Sequence, residues 1–426
     1  MPEDASCVQL GTATVGLELH APIWLARQDL RRHLYVIGKT GTGKSTLLLN
    51  LMLSDLRAGH GFALLDPHGD LAMAVAAGTP AWRIAHGVIY LDPADLAYPV
   101  GFNPLHNVAP DQRPLVAAHV VAAFQHIWGA SWGPRLEYIL TNALRLLLDA
   151  PGSSLLGLSR LLADEDYRLR LLTHTRDPVV RNFWATEFAG YSDKYATEAI
   201  APIQNKVGTL LSPPALRNML GQAKSTIDIR AIMDRGQVLI VNLAKGKLGE
   251  APTHLLGAFL ATAFAQAAEA RADIPEHRRR DFTLYADEFQ HFATDSFATI
   301  LSEARKYHLA LVLAHQFIGQ LPDLLRQAVI GNAGSIFAFR VGAEDAPLIA
   351  CELGIDHAPT LTDTANFSAW AKLLRDGSPA DARPIATLPR ASGTTSSFLS
   401  VQSRTRARYA RERHIVERKI SQFLAR

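Results

Sequence analysis

A glycine-rich loop near the amino terminus constrains the fold more than any other feature of this sequence. Residues 38–45 read GKTGTGKS, a complete G-x-x-x-x-G-K-[ST] pattern, and they directly follow the apolar run 34–37. A helical pattern then covers residues 46–53. The glycines let successive backbone N–H groups converge on one anion, and the helix adds the positive end of its dipole. The order of strand, loop and helix therefore predicts a phosphate-binding loop in an α/β fold.

This loop also predicts the ligands and the side chains that hold them. Lys44 can reach the β- and γ-phosphates of a nucleotide, and the Ser45 hydroxyl can ligate Mg²⁺. An ordinary glycine-rich turn is the alternative, which the flanking strand and helix disfavour. The predicted ligands are ATP and Mg²⁺. The predicted ATP-binding residues are Gly38, Lys39, Thr40, Gly41, Thr42, Gly43, Lys44, Ser45 and Thr46.

A pair of adjacent carboxylates supplies the second half of the predicted site. The largely apolar run 282–286 ends in Asp287 and Glu288, which is the Walker B pattern. Asp287 would hold Mg²⁺ together with Ser45, and Glu288 could orient and polarise the attacking water. An acidic cap on the following helix is the alternative for this pair. A glutamate beside the metal-binding aspartate favours hydrolysis of the nucleotide over binding alone.

Three further residues are candidates for contacting the transferred phosphoryl group. Gln316 follows the strand-like run 309–314 and could sense the γ-phosphate or the attacking water; a plain surface glutamine is the alternative. Arg305 is the first candidate for an arginine finger that reaches a neighbouring subunit, and Arg340 is the second. Either arginine could instead belong to a structural ion pair. The predicted catalytic residues are Lys44, Asp287, Glu288, Gln316 and Arg305.

Another polar turn follows the apolar run 62–65, where residues 66–70 read DPHGD. The carboxyl ends of parallel strands form the ligand-binding edge of a doubly wound sheet. We therefore expect Asp66 and His68 to contact the residues that bind the ligand, or to lie at a subunit interface. A turn built by the Asp-Pro pair and the glycine is the alternative for both residues.

The order of strand-like and helix-like segments predicts a mostly parallel sheet with helices on both faces and an inserted all-α domain. The strand-like runs are Val8–Leu10, Val15–Leu19, Pro22–Leu25 and residues 34–37, 62–65, 88–91, 237–243, 282–286, 309–314 and 335–340. The predicted domains are an N-terminal β-rich flap at 1–33, a nucleotide-binding core at 34–110 and 225–345, the all-α insertion at 111–224, and a C-terminal segment at 346–426.

Composition bears on the compartment and on the charge of a partner. Two cysteines, Cys7 and Cys351, fit a reducing compartment without a disulfide framework. We see no signal peptide, and the longest uncharged apolar stretch, residues 255–268, is too short to span a membrane. The net charge of +3 is compatible with a nucleic-acid partner without demonstrating one. We therefore expect a cytoplasmic protein.

The C-terminal segment contains a basic helix with two interpretations. Arginines crowd residues 403–426, and such groups can neutralise DNA phosphates. The interpretation that we favour is an amphipathic helix that docks on a neighbouring subunit as a strap, because ring ATPases need contacts between subunits. Its apolar face would consist of Ile415, Ile420, Phe423 and Leu424.

Several short motifs, taken in chain order, carry a resemblance to a known family. They are GKTGTGKS at 38–45, DPHGD at 66–70, GFNPL at 101–105, SWGP at 131–134, VNL at 241–243, DEF at 287–289, ARKY at 304–307, HQ at 315–316 and FRVGAEDA at 339–346. With these motifs, roughly residues 30–390 resemble the HerA/FtsK superfamily of hexameric translocases. Within that superfamily the chain is most similar to the coupling ATPases of conjugative type IV secretion.

This resemblance implies a RecA-like P-loop NTPase core and a homo-oligomer, a hexameric ring with ATP between neighbouring subunits. It also implies that single- or double-stranded DNA passes through the pore and that the all-α domain meets DNA or the relaxosome. Membrane-anchored coupling proteins carry N-terminal transmembrane helices, for which this sequence offers no candidate. Recruitment to the inner membrane and its channel subunits would then need a separate membrane partner.

The function predicted from the sequence is ATP hydrolysis coupled to DNA translocation. One alternative is a protein-moving secretion or pilus-assembly ATPase of a type IV system. Another is a nucleotide-gated scaffold or switch with negligible turnover, which Glu288 argues against.

Overall fold

An eleven-stranded sheet organises the computed structural model, which describes residues 6–14 and 20–425. The strands are β1 Cys7–Ala13, β2 Pro22–Ala26, β3 Leu34–Ile37, β4 Gly61–Asp66, β5 Val88–Leu91, β6 Val238–Asn242, β7 Phe282–Ala286, β8 Leu309–His315, β9 Ser335–Ala338, β10 Ser368–Lys372, β11 Leu374–Arg375, β12 Ser378–Pro379 and β13 Arg383–Thr387. Their order in the large sheet is β2-β1-β13-β10-β9-β3-β8-β7-β4-β6-β5, and β11 and β12 form a separate hairpin.

Helices occupy the connections between these strands and the residues after β13. They are α1 Arg27–Leu30, α2 Lys44–Ala58, α3 Asp70–Ala77, α4 Ala81–Ala85, α5 Arg113–Trp128, α6 Pro134–Asp149, α7 Gly157–Ala163, α8 Glu165–Leu172, α9 Pro178–Asn182, α10 Asp193–Leu211, α11 Pro214–Leu220, α12 Ile229–Asp234, α13 Lys245–Leu248, α14 Glu250–Glu269, α15 Asp295–Glu303, α16 Asp323–Asn332, α17 Ala346–Leu353, α18 Pro359–Thr362, α19 Thr395–Tyr409 and α20 Arg413–Leu424. None of the helices in the described ranges is both long enough and apolar enough to cross a bilayer.

The sheet has a parallel part and an antiparallel part. The seven strands from β9 to β5 in the spatial order run parallel, and every residue in them is buried. Complete burial is what helices on both faces of a parallel sheet produce, because no strand face meets water. The remaining strands β10, β13, β1 and β2 pair antiparallel and extend the same sheet. The predicted α/β fold, with its mostly parallel sheet and inserted all-α segment, is confirmed.

The strand predictions fit the parallel part best. The bounds of β3, β5 and β7 are those predicted, and the other predicted runs overlap β1, β2, β4, β6, β8 and β9. The predicted run Val15–Leu19 lies outside the described residues. The strands β10 and β13 were not predicted. In β10 only Ala369 and Ala371 are buried, and small alternating residues give a weak strand signal.

The chain divides into two compact units. The first consists of the described residues up to 91 together with 229–244 and 261–405, and it holds the whole sheet. The second consists of residues 92–228, 245–260 and 406–426 and is helical. In the first unit, β1 and β2 belong to the main sheet, whereas the sequence suggested a flap beside it. The domain boundaries drawn from the sequence stay predictions.

A buried polar contact ties α2 to β7 inside the first unit. The Tyr285 hydroxyl on β7 donates to Asp55 of α2 at 2.6 Å, and Arg27 forms an ion pair with the same carboxylate. Because α2 begins at Lys44 and β7 ends beside Asp287, this contact fixes the two elements that carry the halves of the predicted site.

The C-terminal helix α20 packs against its own chain in the second unit. Ile420 is buried, the Phe423 ring lies edge-on to Tyr167 with centroids 5.8 Å apart, and Arg160 donates to the Phe423 carbonyl at 2.6 Å. Ile420 and Phe423 of the predicted apolar face are thus occupied within the chain, while Leu424 is exposed. The strap between subunits stays a prediction.

Candidate nucleotide-binding site

The sheet topology brings the predicted site residues to one edge. β3 lies between β8 and β9, and β7 is the next strand beyond β8. All four strands are parallel, so their carboxyl ends lie side by side at the edge where doubly wound sheets bind ligands. The loop after β3, the carboxylates after β7 and the amide after β8 therefore meet at this edge.

The loop after β3 has the backbone conformation of a phosphate cradle. Gly41 and Gly43 have φ values of 77° and 124°, in the left-handed region that side chains disfavour. A Cβ atom on Gly43 would lie 2.9 Å from the Phe339 ring, so the loop has no room for a side chain there. The Thr42 hydroxyl donates to the Lys39 carbonyl at 2.7 Å and closes the turn.

The Lys44 ammonium is buried under this loop. The side chain is only 5% exposed, and Nζ donates to the carbonyls of Gly38 at 2.6 Å and Lys39 at 3.2 Å. Burial lowers the pKa of Lys44, and the nearby carboxylates of Glu288 and Asp287 oppose that shift. The ammonium is therefore held between the loop and the two carboxylates, where a phosphate oxygen can replace the carbonyls as its acceptor.

Ser45 and Asp287 form a pair suited to a divalent cation. The Ser45 hydroxyl lies 3.5 Å from Asp287 Oδ2, while Oδ1 is buried and has no hydrogen-bond partner among the described residues. Burial, with added repulsion from Asp66 and Glu288, raises the pKa of Asp287 to about 7. Mg²⁺ prefers oxygen ligands, and its charge would stabilise the ionised carboxylate. The donor set of Ser45 and Asp287 therefore fits Mg²⁺.

Glu288 is held by two amides in a strained backbone conformation. Its φ and ψ are 47° and 52°, the left-handed region, which is uncommon for a residue with a side chain. Its carboxylate accepts from Gln316 Nε2 at 2.9 Å and from Gln290 Nε2 at 2.8 Å, and the side chain is buried. Strain of this kind persists where surrounding contacts over-determine the geometry, and it clusters at functional sites. Gln316 thus lies against Glu288; Gln290 was not predicted.

Asp66 is a structural support at the same edge. Its buried carboxylate accepts the backbone N–H groups of His68 at 2.9 Å and Ala72 at 2.8 Å, and so fixes the turn that starts α3. Its charge also contributes to the raised pKa of Asp287. The His68 side chain is exposed. The geometry of Asp66 corresponds to the turn-building alternative, and an interface role for His68 stays a prediction.

The two candidate arginine fingers lie in different places. Arg305 is exposed on the turn Ala304–Tyr307, which precedes the amino end of β8. The seven residues of β8 span roughly 20 Å, so Arg305 is far from the site in its own chain. Arg340 lies beside the loop, where its carbonyl accepts from Lys39 N at 2.8 Å and its Nη2 donates to Asn366 at 2.8 Å.

The family of the chain follows from a comparison with known families. The family model of the helicase HerA central domain matches residues 8–261, which is more than half of the chain. The chain belongs to this family. The HerA resemblance drawn from the motifs is confirmed. No curated protein matches the sequence significantly.

Solved structures share the fold over nearly the whole of this HerA-family chain. The unbound bacterial conjugative coupling protein TrwBdeltaN70 is 18% identical, with a TM-score of 0.64 over 92% of this chain and 91% of that chain. The plasmid coupling protein TrwB in complex with ADP and Mg²⁺ is 16% identical, with a TM-score of 0.62 over 91% and 92%. VirB4 of Thermoanaerobacter pseudethanolicus is 14% identical, with a TM-score of 0.55 over 91% and 97%. At these identities the likeness shows the RecA-like fold alone.

The raised pKa of Asp287 predicts that the ligand-free site destabilises the protein above neutral pH. The carboxyl has a pKa of about 7 in the folded chain and an ordinary value of 3.8. Between these two pH values the folded chain therefore binds one proton more than the unfolded chain. Stability therefore falls as the pH rises from about 4 to about 7, by about 1.4 kcal/mol per pH unit. We expect Asp287→Asn, measured without Mg²⁺ or nucleotide, to unfold a few degrees above wild type at pH 8.

At pH 5 the same two proteins should unfold at more similar temperatures, because Asp287 is then protonated in the wild-type fold. Asp70→Asn is the matched control, since this carboxylate is exposed at the same edge of the sheet. Its effect should be equal at both pH values. A difference between Asp287→Asn and wild type that does not change with pH would show that burial does not perturb this carboxylate.

Proposed function

We propose that this chain is an ATP-hydrolysing DNA translocase that works as a ring, in the manner of a coupling ATPase of conjugative DNA transfer. The observation that carries hydrolysis is the Glu288 carboxylate, fixed by the amides of Gln290 and Gln316 beside the Ser45–Asp287 pair. A site that only bound a nucleotide would have no need of a second buried carboxylate held in a strained conformation. Such a carboxylate is placed to orient a water molecule.

In the proposed reaction the water oxygen forms a bond to the γ-phosphorus while the bond from that phosphorus to the ADP oxygen breaks. Glu288 accepts the proton of the water, and Gln290 and Gln316 each hold one of its two carboxylate oxygens in place. Lys44 balances the charge on the β- and γ-phosphates. When bound, Mg²⁺ would neutralise the negative charge that develops on the phosphate oxygens.

Two observations support a ring with DNA as the substrate. The family is named for a helicase, and the neighbour TrwB is named as a conjugative coupling protein. Arg305 lies at the sheet edge opposite its own site, so it could contact a nucleotide only on another subunit. An arginine from a neighbouring subunit stabilises the negative charge that develops on the transferred phosphoryl group. Hydrolysis would then depend on assembly of the ring.

The steady-state ATPase rate with and without DNA tests this proposal. We expect single- or double-stranded DNA to raise the rate severalfold at low salt, and the stimulation to fall as salt competes for the phosphates. An unchanged rate at low salt would contradict translocation of DNA. Stimulation by a membrane component alone would favour a protein-moving ATPase. ATP that stays uncleaved for many minutes in a single-turnover experiment would favour a scaffold.

A further inference from the structure

We propose that Phe367 is the platform on which the base of a bound nucleotide stacks, and that the site accepts purine nucleoside triphosphates as a class. This inference rests on the nucleotide site of the proposed function and adds the part that holds the nucleoside. No motif in the sequence points to Phe367, because it lies outside the phosphate loop and outside every predicted strand.

The two ends of a bound nucleotide must lie on different sides of β3. In the proposed site the Ser45–Asp287 pair and Glu288 would hold the terminal phosphate on the side of β8 and β7. The nucleoside then extends toward the opposite side of β3, where β9 is its neighbour and β10 is the next strand beyond β9. Because β10 pairs antiparallel with β9, its amino end lies at the same edge as the phosphate loop. Phe367 is the residue directly before β10.

Phe367 touches the phosphate loop itself. Its backbone N–H donates to the Thr42 carbonyl at 2.8 Å. Its ring atom Cδ1 lies 3.2 Å from the position that a Cβ on Gly43 would occupy. The missing side chain of Gly43 therefore leaves the ring next to the start of α2, where the inner phosphates of a nucleotide bind. The ring borders the path from the phosphates to the base.

The ring is held there at a conformational cost. Phe367 has a φ of 61°, in the left-handed region that a bulky residue rarely adopts. Three hydrogen bonds hold this backbone: the donation to Thr42, and the donations from the Thr387 N–H at 2.8 Å and hydroxyl at 3.0 Å to the Phe367 carbonyl. Despite this fixation the side chain is 52% exposed. A strained backbone that holds an aromatic ring exposed beside a ligand loop is the arrangement of a stacking platform.

The chemistry of stacking defines which nucleotides fit. Every base has a π-face, so one aromatic ring tolerates any base and favours the larger purines. The ring itself carries no donor or acceptor that could separate adenine from guanine. We therefore expect ATP and GTP to bind with similar affinity, within about threefold, and pyrimidine triphosphates to bind more weakly.

The test compares a ligand that has a base with one that lacks it. Affinities for ATP and for inorganic triphosphate are measured, by calorimetry on the full chain, for wild type, Phe367→Ala and Phe367→Asn. Asparagine removes the ring and tolerates the left-handed backbone. The matched control is Leu169→Ala, which removes an apolar side chain with a similar exposed fraction of 53%.

We expect both Phe367 variants to bind ATP about tenfold more weakly and to bind triphosphate as wild type does. Phe367→Trp should keep the ATP affinity and should gain an indole fluorescence that ATP quenches and triphosphate does not. An unchanged ATP affinity in both ring-deletion variants would overturn the platform. An equal loss for ATP and triphosphate would overturn it as well, because Phe367 would then support only the loop.

These outcomes are separate from a failure of the proposed function. If wild type binds neither ATP nor triphosphate, the nucleotide site itself is wrong. If wild type binds ATP and hydrolyses it faster with DNA while the Phe367 variants bind ATP normally, only the platform is wrong.

Discussion

We expect Glu288→Gln to lower the rate of ATP turnover by about 10²- to 10⁴-fold while ATP still binds. The amide cannot accept a proton from water, and it presents an NH₂ group to one of the two amide donors, Gln290 or Gln316, that hold the carboxylate. The remaining oxygen keeps one of the two hydrogen bonds. Glutamine has the size of glutamate, so the phosphate loop and the Ser45–Asp287 pair should stay in place. The measurement is the steady-state release of phosphate, with the ATP affinity measured in parallel.

Glu303→Gln is the matched control for this variant, because it makes the same change on a half-exposed residue of α15 that pairs with Lys306. Its turnover rate should equal that of wild type. If Glu288→Gln keeps more than about a tenth of the wild-type rate, Glu288 is not the group that accepts the proton.

The second large effect is expected for Lys44→Ala, which should weaken ATP binding by about 10- to 100-fold. The variant loses charged hydrogen bonds to the phosphates and leaves the Asp287 and Glu288 carboxylates without their nearby positive charge. Lys44→Arg should not restore binding, because the ammonium sits in a buried space bounded by the carbonyls of Gly38 and Lys39, and the planar guanidinium is larger. Equilibrium binding of ATP measures both effects.

Lys194→Ala is the control, since this lysine is exposed in the helical unit. It should bind ATP as wild type does. Wild-type affinity in Lys44→Ala would mean that the loop does not hold the phosphates in the way proposed.

Lys44→Ala also allows a test of the arginine finger. If Arg305 acts on a neighbouring subunit, a mixture of Lys44→Ala and Arg305→Ala chains contains interfaces that combine an intact Lys44 with an intact Arg305. The mixture should then hydrolyse ATP faster than the sum of the separate variants. A mixture that stays as inactive as its components, although mixed oligomers form, would remove Arg305 from the site.

The sequence predicts the parallel part of the fold because a strand that is completely buried consists mostly of apolar residues. β3 and β5 are continuous apolar runs and β7 is a largely apolar one, and their ends are marked by glycine or by carboxylates, so their bounds can be predicted. The antiparallel extension is harder. β1 pairs with β13 across nearly the whole length of the chain, and no local pattern reveals such a partner. The N-terminal strands were therefore predicted as a separate flap.

The same distinction applies to the site. Parallel strands align their carboxyl ends, so residues directly after them, such as Asp287, Glu288 and Gln316, can be assigned to one edge from topology alone. Gln290 and Phe367 could not be assigned in this way. Gln290 reaches Glu288 because the backbone turns through a left-handed residue, and Phe367 reaches the loop through an antiparallel strand. Neither geometry has a sequence signal.

An image of the assembly tests the central claim most directly, that this chain forms an ATP-dependent ring around DNA. Glu288→Gln should be imaged by electron microscopy with ATP and Mg²⁺, with and without DNA, because slow hydrolysis holds the ATP-bound state. We expect rings of six subunits, with density in the central pore only when DNA is present. Single subunits under these conditions would contradict the proposed translocase. Rings whose pore stays empty in the presence of DNA would contradict it as well, whether the DNA binds elsewhere or does not bind.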